Sequence, residues 1–202
     1  MIDERAIVAI IDDDVSARDA LQGLLETDGV SVTLFGSAED YLRSCKPDAH
    51  NCIVLDPGDG GVDLPVKLAK TQSPTPIVFV AARGDIRASV RAMKAGAIEY
   101  LTKPFRSQEL LDAVRSGIEL DRARRAEDRA LSDLRTRFAS LTPREQEVLA
   151  LLAAGREVKE IAGQIRICTH TARVHRTRVM SKIGARSIAD LVRMSDKLAH
   201  RG

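Results

Sequence analysis

At 202 residues with 44% hydrophobic side chains, the chain is long enough to bury one or two cores, which excludes a disordered protein. No apolar run approaches the roughly 18 residues of a membrane span, and the opening MIDERAIVAII is acidic rather than signal-like, so a soluble, cytoplasmic protein without a membrane partner is expected. The net charge of +2 conceals a division: residues 138–202 hold 12 Lys and Arg against 6 Asp and Glu, a balance of +6, while the first 137 hold 19 against 23, a balance of −4.

The first 105 residues alternate short apolar runs with helix-period segments, the pattern of a parallel sheet covered by helices on both faces. The runs are Ile7–Ile11, Val30–Phe35, Asn51–Leu55, Ile77–Ala81 and Glu99–Thr102. Between them, SARDALQGLLETDG places Ala20, Leu21, Leu24 and Leu25 on one helical face, and DIRASVRAMKAGA does the same with Ile86, Val90 and Met93. Five strands and about five helices are expected, with the chemistry at the carboxyl ends of the strands. Cys45, Cys52 and Cys168 have no metal-ligand or C-x-x-C spacing and are read as reduced, buried thiols.

Those strand ends are charged. The first strand runs into Asp12, Asp13 and Asp14, the third delivers Asp56, and the fifth leads to Lys103. Two carboxylates about 4 Å apart repel by roughly 4 kcal/mol at an effective dielectric near 20, so such a cluster needs a cation, and oxygen-only ligands favour Mg²⁺. A nucleophilic carboxylate beside Mg²⁺ and a point-charge lysine is equipment for accepting a phosphoryl group. The plainer alternative has Asp14 capping a helix, Asp56 opening a turn and Lys103 solvated.

From Ser107 to about Arg137 the sequence is strongly helix-forming, with only Gly117 interrupting it. Its charges, six basic and five acidic over Glu119–Arg137, predict an exposed, salt-bridge-laced helix joining two domains, and Leu120, Leu131 and Leu134 are too sparse for a coiled coil. In LTPREQEVLALLAAG, Thr142 with Glu145 makes a capping box, Pro143 takes the first helical position and Gly155 marks the end. Further helices are expected at about Glu157–Ile165, Thr169–Ile183 and Ile188–Leu198, forming a helix-turn-helix bundle. Within it, Ile161–Ala189 holds six Arg or Lys and no acid, which points to a polyanion partner. At about 100° per residue, Ala172, Val179 and Ile183 share one side of the third helix with Arg176 beside them, while Arg173, Val174, Thr177 and Arg178 point the other way. An outward Val suits a thymine methyl, and Arg173 suits guanine O6 and N7. Lys159, Thr171, His175, Arg176 and Lys182 are placed for phosphates. Each has a duller reading: Arg176 covering the core with its stem, Lys182 facing solvent, His175 packed in the bundle.

IIDDDVSARDALQGLLETDG, CIVLD, IVFV and GDIRASVRAMKAGAIEYLTKPF resemble the receiver domain of the FixJ/NarL group of two-component response regulators, over most of residues 5–118. LTPREQEVLALLAAG and TARVHRTRVMSKIGARS resemble the LuxR-type helix-turn-helix domain, over about residues 140–198. The resemblance implies a receiver domain at 1–118, a helical linker at 119–138 and a DNA-binding domain at 139–202. It implies Asp12 and Asp13 as the acid pair, Asp56 as phosphoacceptor, and Lys103 as the phosphate-contacting lysine. Mg²⁺ would be held by Asp13, Asp56 and the carbonyl of Gly58, with Asp12 acting through water. A cis bond before Pro104 and Tyr100 as switch aromatic are also implied. The implied partners are a sensor histidine kinase, double-stranded promoter DNA and a second copy of the chain on DNA, with RNA polymerase left open. Such a receiver acts by docking rather than by turnover.

Four positions depart from the family pattern. The loop DPGDGG reaches Gly61 about three residues early, which misplaces Gly58; Ala81 stands where the family has a hydroxyl. Cys168 stands where Ser commonly caps, and Arg166 where the turn often has Gly. Two alternatives follow: a transcription regulator whose receiver no longer switches on phosphate, and an enzyme of the haloacid dehalogenase type with Asp12 as nucleophile. The second leaves Asp56 and the basic helix without a role.

Overall fold

The computed structural model describes residues 6–44, 49–58, 75–82 and 86–199. The chain divides into two compact units, Met1–Arg125 and Ala126–Gly202. In the first, strands β1 (Ile7–Ile11), β2 (Ser31–Phe35), β3 (Cys52–Leu55), β4 (Ile77–Ala81) and β5 (Glu99–Thr102) form a parallel sheet in the order β2-β1-β3-β4-β5. β3 and β4 are buried along their whole length, as unbroken apolar runs in a sheet covered on both faces require. Alternation along the strands separates two cores. Val8, Ile10, Cys52, Val54, Val78 and Val80 pack with helix α1 (Val15–Thr27) and the start of helix α4 (Ser107–Ala139). Ala9, Ile11, Ile53, Leu55, Ile77 and Phe79 pack with α2 (Ala38–Ser44) and α3 (Ile86–Lys94).

The helical faces differ from the expected ones in two places. In α1, Leu21 and Leu25 are buried with Leu24 partly so, but Ala20 is exposed. In α3, Val90 and Met93 are each 46% exposed and Ala92 is buried at 1%, so the helix meets the core through its small residue and turns the larger ones outward. The side chain of Ile86, Cys45 and the loop through Gly61 lie outside the described residues.

α4 runs for 33 residues. Leu110, Val114 and Ile118 line its buried face, and the next position on that face is Asp121, 0% exposed. Its carboxylate accepts hydrogen bonds from Asn51 Nδ2 at 2.8 Å, from Arg124 at 2.8 Å and from Arg125, whose guanidinium also donates to the His50 carbonyl at 2.9 Å. Asn51 in turn accepts from the Ile7 amide at 2.9 Å. The expected solvated linker therefore begins as a buried ionic cluster fixed to the starts of β1 and β3, and the first unit extends to Arg125, past the expected limit at 118.

The second unit packs α5 (Pro143–Ala153), α6 (Val158–Gln164), α7 (Thr169–Ile183) and α8 (Ile188–Ala199) around Leu141, Val148, Leu152, Ile161, Val179, Ile183 and Leu191. The capping box at Thr142 and Glu145 is present. Gly155, at φ 74°, ends α5, and Gly184, at φ 79°, ends α7.

Gly117 is explained by its neighbour. A Cβ there would lie 2.7 Å from Cys52 Sγ and 3.2 Å from Ile98 Cδ1, so the helix can approach β3 only without a side chain. Burial pushes the Cys52 thiol up to about 12, which keeps it protonated and inert. Gly117→Ala gains about 1 kcal/mol of helix propensity but overpacks the core by about 1–3 kcal/mol. We expect net destabilisation in urea denaturation, relieved when Cys52→Ala is added.

Candidate functional site

β1 and β3 are neighbours, and their ends place Asp12 and Asp56 side by side. Lys103, beyond the end of β5, donates to Asp56 Oδ2 at 2.8 Å and to Asp12 Oδ2 at 3.0 Å. The Asp12 side chain is 2% exposed and that of Asp56 15%, so the ammonium answers two poorly hydrated carboxylates. Burial alone would lower the Lys103 pKa; the hydrogen bonds and charges of Asp56 and Asp12 outweigh it and raise the pKa. Asp12 Oδ1 accepts the Asp14 amide at 2.9 Å, and the Arg18 guanidinium reaches the Asp12 carbonyl, a contact with no signature in the sequence pattern.

Asp56 Oδ1 accepts the Gly58 amide at 3.0 Å, and Gly58 lies in the left-handed region at φ 42°. Asp56 therefore does open a turn as well as face the lysine. It is the amide of Gly58 that engages Asp56. Asp13 is exposed and has no hydrogen-bond or ionic partner among the described residues. Asp12, Asp13, Asp56 and Gly58 line one cavity of about 160 Å³ with Ser37 and Glu39. Among the described residues no three carboxylate, imidazole or thiol side chains close on a common point as a metal cage would. The donor set is nevertheless all oxygen, which suits a hard cation, and Asp13 holds an uncommitted carboxylate at the rim. Asp14 caps α1, accepting from Ser16 N at 2.8 Å.

Ala81 ends β4 between the two acidic strand ends and β5, is 4% exposed, and offers no hydroxyl. Its carbonyl accepts the Lys103 amide at 2.8 Å. Tyr100 stacks on Phe79 with ring centroids 6.0 Å apart, and the bond before Pro104 is cis.

In the second unit, the wheel and the burial of α7 agree except at Arg176, which the wheel sets beside the buried side and the structure exposes. Ala172, Val179 and Ile183 are at most 1% exposed, while Arg173, Val174, Arg176, Thr177 and Arg178 are exposed. The Thr177 hydroxyl donates to the Arg173 carbonyl at 3.1 Å. Lys159, Thr169, Arg173 and Arg176 border one groove of about 410 Å³. His175 is half-buried, and its Nδ1 is buried without a hydrogen-bond partner.

One expectation is corrected. Cys168 is exposed, not buried: it caps α7, its sulfur accepting the Thr171 amide at 3.5 Å and contacting the Thr171 hydroxyl at 3.1 Å. These contacts, the hydroxyl first, lower its thiol pKa. Lys182 is exposed, and its ammonium also donates to Glu145 Oε2 at 2.6 Å and to the Ser140 carbonyl at 3.2 Å, so part of its charge is committed within the bundle. Glu145 is buried, so removing this lysine would strand a carboxylate inside the bundle. The partner lies 37 residues away, beyond the reach of any local pattern.

Residues 8–115 match the model of the response regulator receiver domain, and residues 139–195 that of the bacterial regulatory proteins, luxR family. Nodulation protein W of Bradyrhizobium diazoefficiens is 45% identical over 197 residues, 96% of this chain and 87% of that protein. The solved structure of response regulator StyR is 43% identical and covers 96% of this chain and 99% of its own, with a TM-score of 0.86. Full-length FixJ from B. japonicum is 35% identical, covers 96% and 98%, and has a TM-score of 0.55.

The Glu145 carboxyl, held at about 2 chiefly by the Lys182 hydrogen bond and the Thr142 amide, has a testable pH signature. Its folded pKa lies below the ordinary 4.5, so its stabilising effect is complete above that value and is lost as pH falls towards about 2. Wild type should exceed Glu145→Gln in thermal midpoint at neutral pH, and the gap should close over that interval.

Proposed function

Because this chain belongs to the response regulators of FixJ/NarL type, transcription regulators that join a receiver to a LuxR-type DNA-binding domain, we propose that Asp56 is its phosphoacceptor and that the receiver couples phosphate to DNA only weakly. The observation that carries this is Lys103 hydrogen-bonded to both Asp56 and Asp12 beside a β4 end without a hydroxyl. Asp13 and Asp56 would hold Mg²⁺ directly, Asp12 through water, with the Gly58 carbonyl as a further donor. The metal would neutralise charge on the transferring oxygens. This chain's own part is to display Asp56 at a strand end and hold Lys103 beside it. A hydroxyl at position 81 would add about 1.5–3 kcal/mol to a bound phosphoryl group. Without it, no hydroxyl would move towards a phosphate to make room for the Tyr100 ring, which stacks on Phe79.

On DNA, Arg173 would read guanine and Val174 a thymine methyl, with Thr177 and Arg178 on the same face. Lys159, Thr171, His175 and Arg176 would contact phosphates. Lys182 would do so with part of its charge already committed to Glu145. A sensor histidine kinase would supply the phosphoryl group in the cytoplasm. Two copies would bind half-sites about one helical turn apart, since a single short helix distinguishes few sites. RNA polymerase would be a further partner of the DNA-bound form. No helix among the described residues is long and apolar enough to cross a membrane.

Asp56→Asn should change affinity for a promoter fragment by less than about tenfold, 1.4 kcal/mol, while Ala81→Thr should increase the response to acetyl phosphate. Rapid, complete labelling of wild type with a hundredfold rise in DNA affinity would overturn this reading. Arg173→Ala should weaken the specific site by about 1–3 kcal/mol and leave random duplex little affected.

A further inference from the structure

The basic residues of Ile161–Ala189 do not all remain available once the bundle is formed. Lys182 is paired with Glu145, and Arg186 sits within the field of Asp190. Arg173, Arg176 and Arg178 belong to the exposed side of α7 already described. Arg166 is left over. It lies between α6 and α7, two residues before the cap at Cys168, with φ 54°. Every other left-handed residue among those described is glycine, as the clash between a Cβ and its own backbone demands.

The turn itself does not use the Arg166 side chain. Its backbone is held by the Arg166 amide on Gly163 O at 3.3 Å and the Ile167 amide on Ala162 O at 3.0 Å. The Ile165 carbonyl that ends α6 is taken by the Arg144 guanidinium, and α7 is capped by Cys168. Arg166 is exposed and its guanidinium has no hydrogen-bond or ionic partner among the described residues. A glycine would relieve the backbone and cost the bundle no contact. Strain that the fold does not need points to a partner.

We propose that Arg166 is a phosphate anchor, gripping the backbone that borders the groove entered by the start of α7. In a helix-turn-helix, the helix before the turn crosses the phosphate backbone and the one after it enters the groove, so the turn lies where the two meet. A forked guanidinium there contributes charge and register without reading a base. This rests on the reading of α7 as the DNA helix.

The test uses the full chain, a duplex selected by wild type from a randomised pool, and an unselected duplex. Arg166→Gly should raise the thermal midpoint yet weaken both duplexes by about fivefold near 0.1 M salt, with the slope of log affinity against log salt reduced by about 0.9. Arg166→Lys should retain the wild-type slope. An unchanged affinity and slope in Arg166→Gly would overturn the proposal, and so would a lowered midpoint, since the fold would then be using the side chain. If wild type selects no duplex, the underlying reading of α7 fails and takes the anchor with it; if Arg173→Ala discriminates but Arg166→Gly does not, the anchor alone fails.

Discussion

Two carboxylates brought out of water at adjacent strand ends must be answered by positive charge, and Lys103 answers both. The parallel order of the sheet makes this possible. β1 and β3 are neighbours, so Asp12 and Asp56 cannot avoid one another, while β5 stands one strand further along, beyond β4. The lysine stem must pass the end of β4, where Ala81 is small and nearly fully buried. That alanine withholds the hydroxyl a bound phosphoryl group would use, so the charge pairing at this sheet edge is complete while the polar contact beside it is missing.

Local pattern was a good guide wherever a segment's environment is uniform. β3 and β4 are apolar without a break because both faces are covered, and their limits follow from composition alone. The caps at Thr142 and Gly155 were equally legible, since each satisfies backbone groups of its own helix. Periodicity misled where size mattered more than polarity. α3 meets the sheet through Ala92, and the larger Val90 and Met93, which carry the apolar signal, turn outward. Long-range ion pairs were invisible. Asp121 finds Asn51 across 70 residues and Lys182 finds Glu145 across 37, so both looked like surface charges in a charged sequence.

The same distinction governs the electrostatics of the second unit. A formal excess of basic residues overstates what a polyanion meets, because part of the charge is already neutralised. Arg144 holds Glu147 and the end of α6, Arg193 holds Asp190, and Lys182 holds Glu145. Five of the cations without a partner among the described residues lie on and before α7: Lys159, Arg166, Arg173, Arg176 and Arg178. The bundle thus sorts its cations into those that hold helices together and those left for a ligand, and the sorting cannot be read from a count.

The long helix α4 also constrains how this chain can be recombined. Its early turns are tied through Asp121 and Arg125 to Asn51 and the His50 carbonyl, and its last turns are tied to α7 through Arg137, which donates to the Ile183 carbonyl at 3.2 Å. A fragment ended at Ile118 would take Asp121 from Asn51 and the Arg125 guanidinium from the His50 carbonyl. A fusion begun after Phe138 would strip the carbonyl end of α7. Between them Leu131 and Leu134 are buried as well, so an exchange of one reader for another has to carry this stretch of the helix with it.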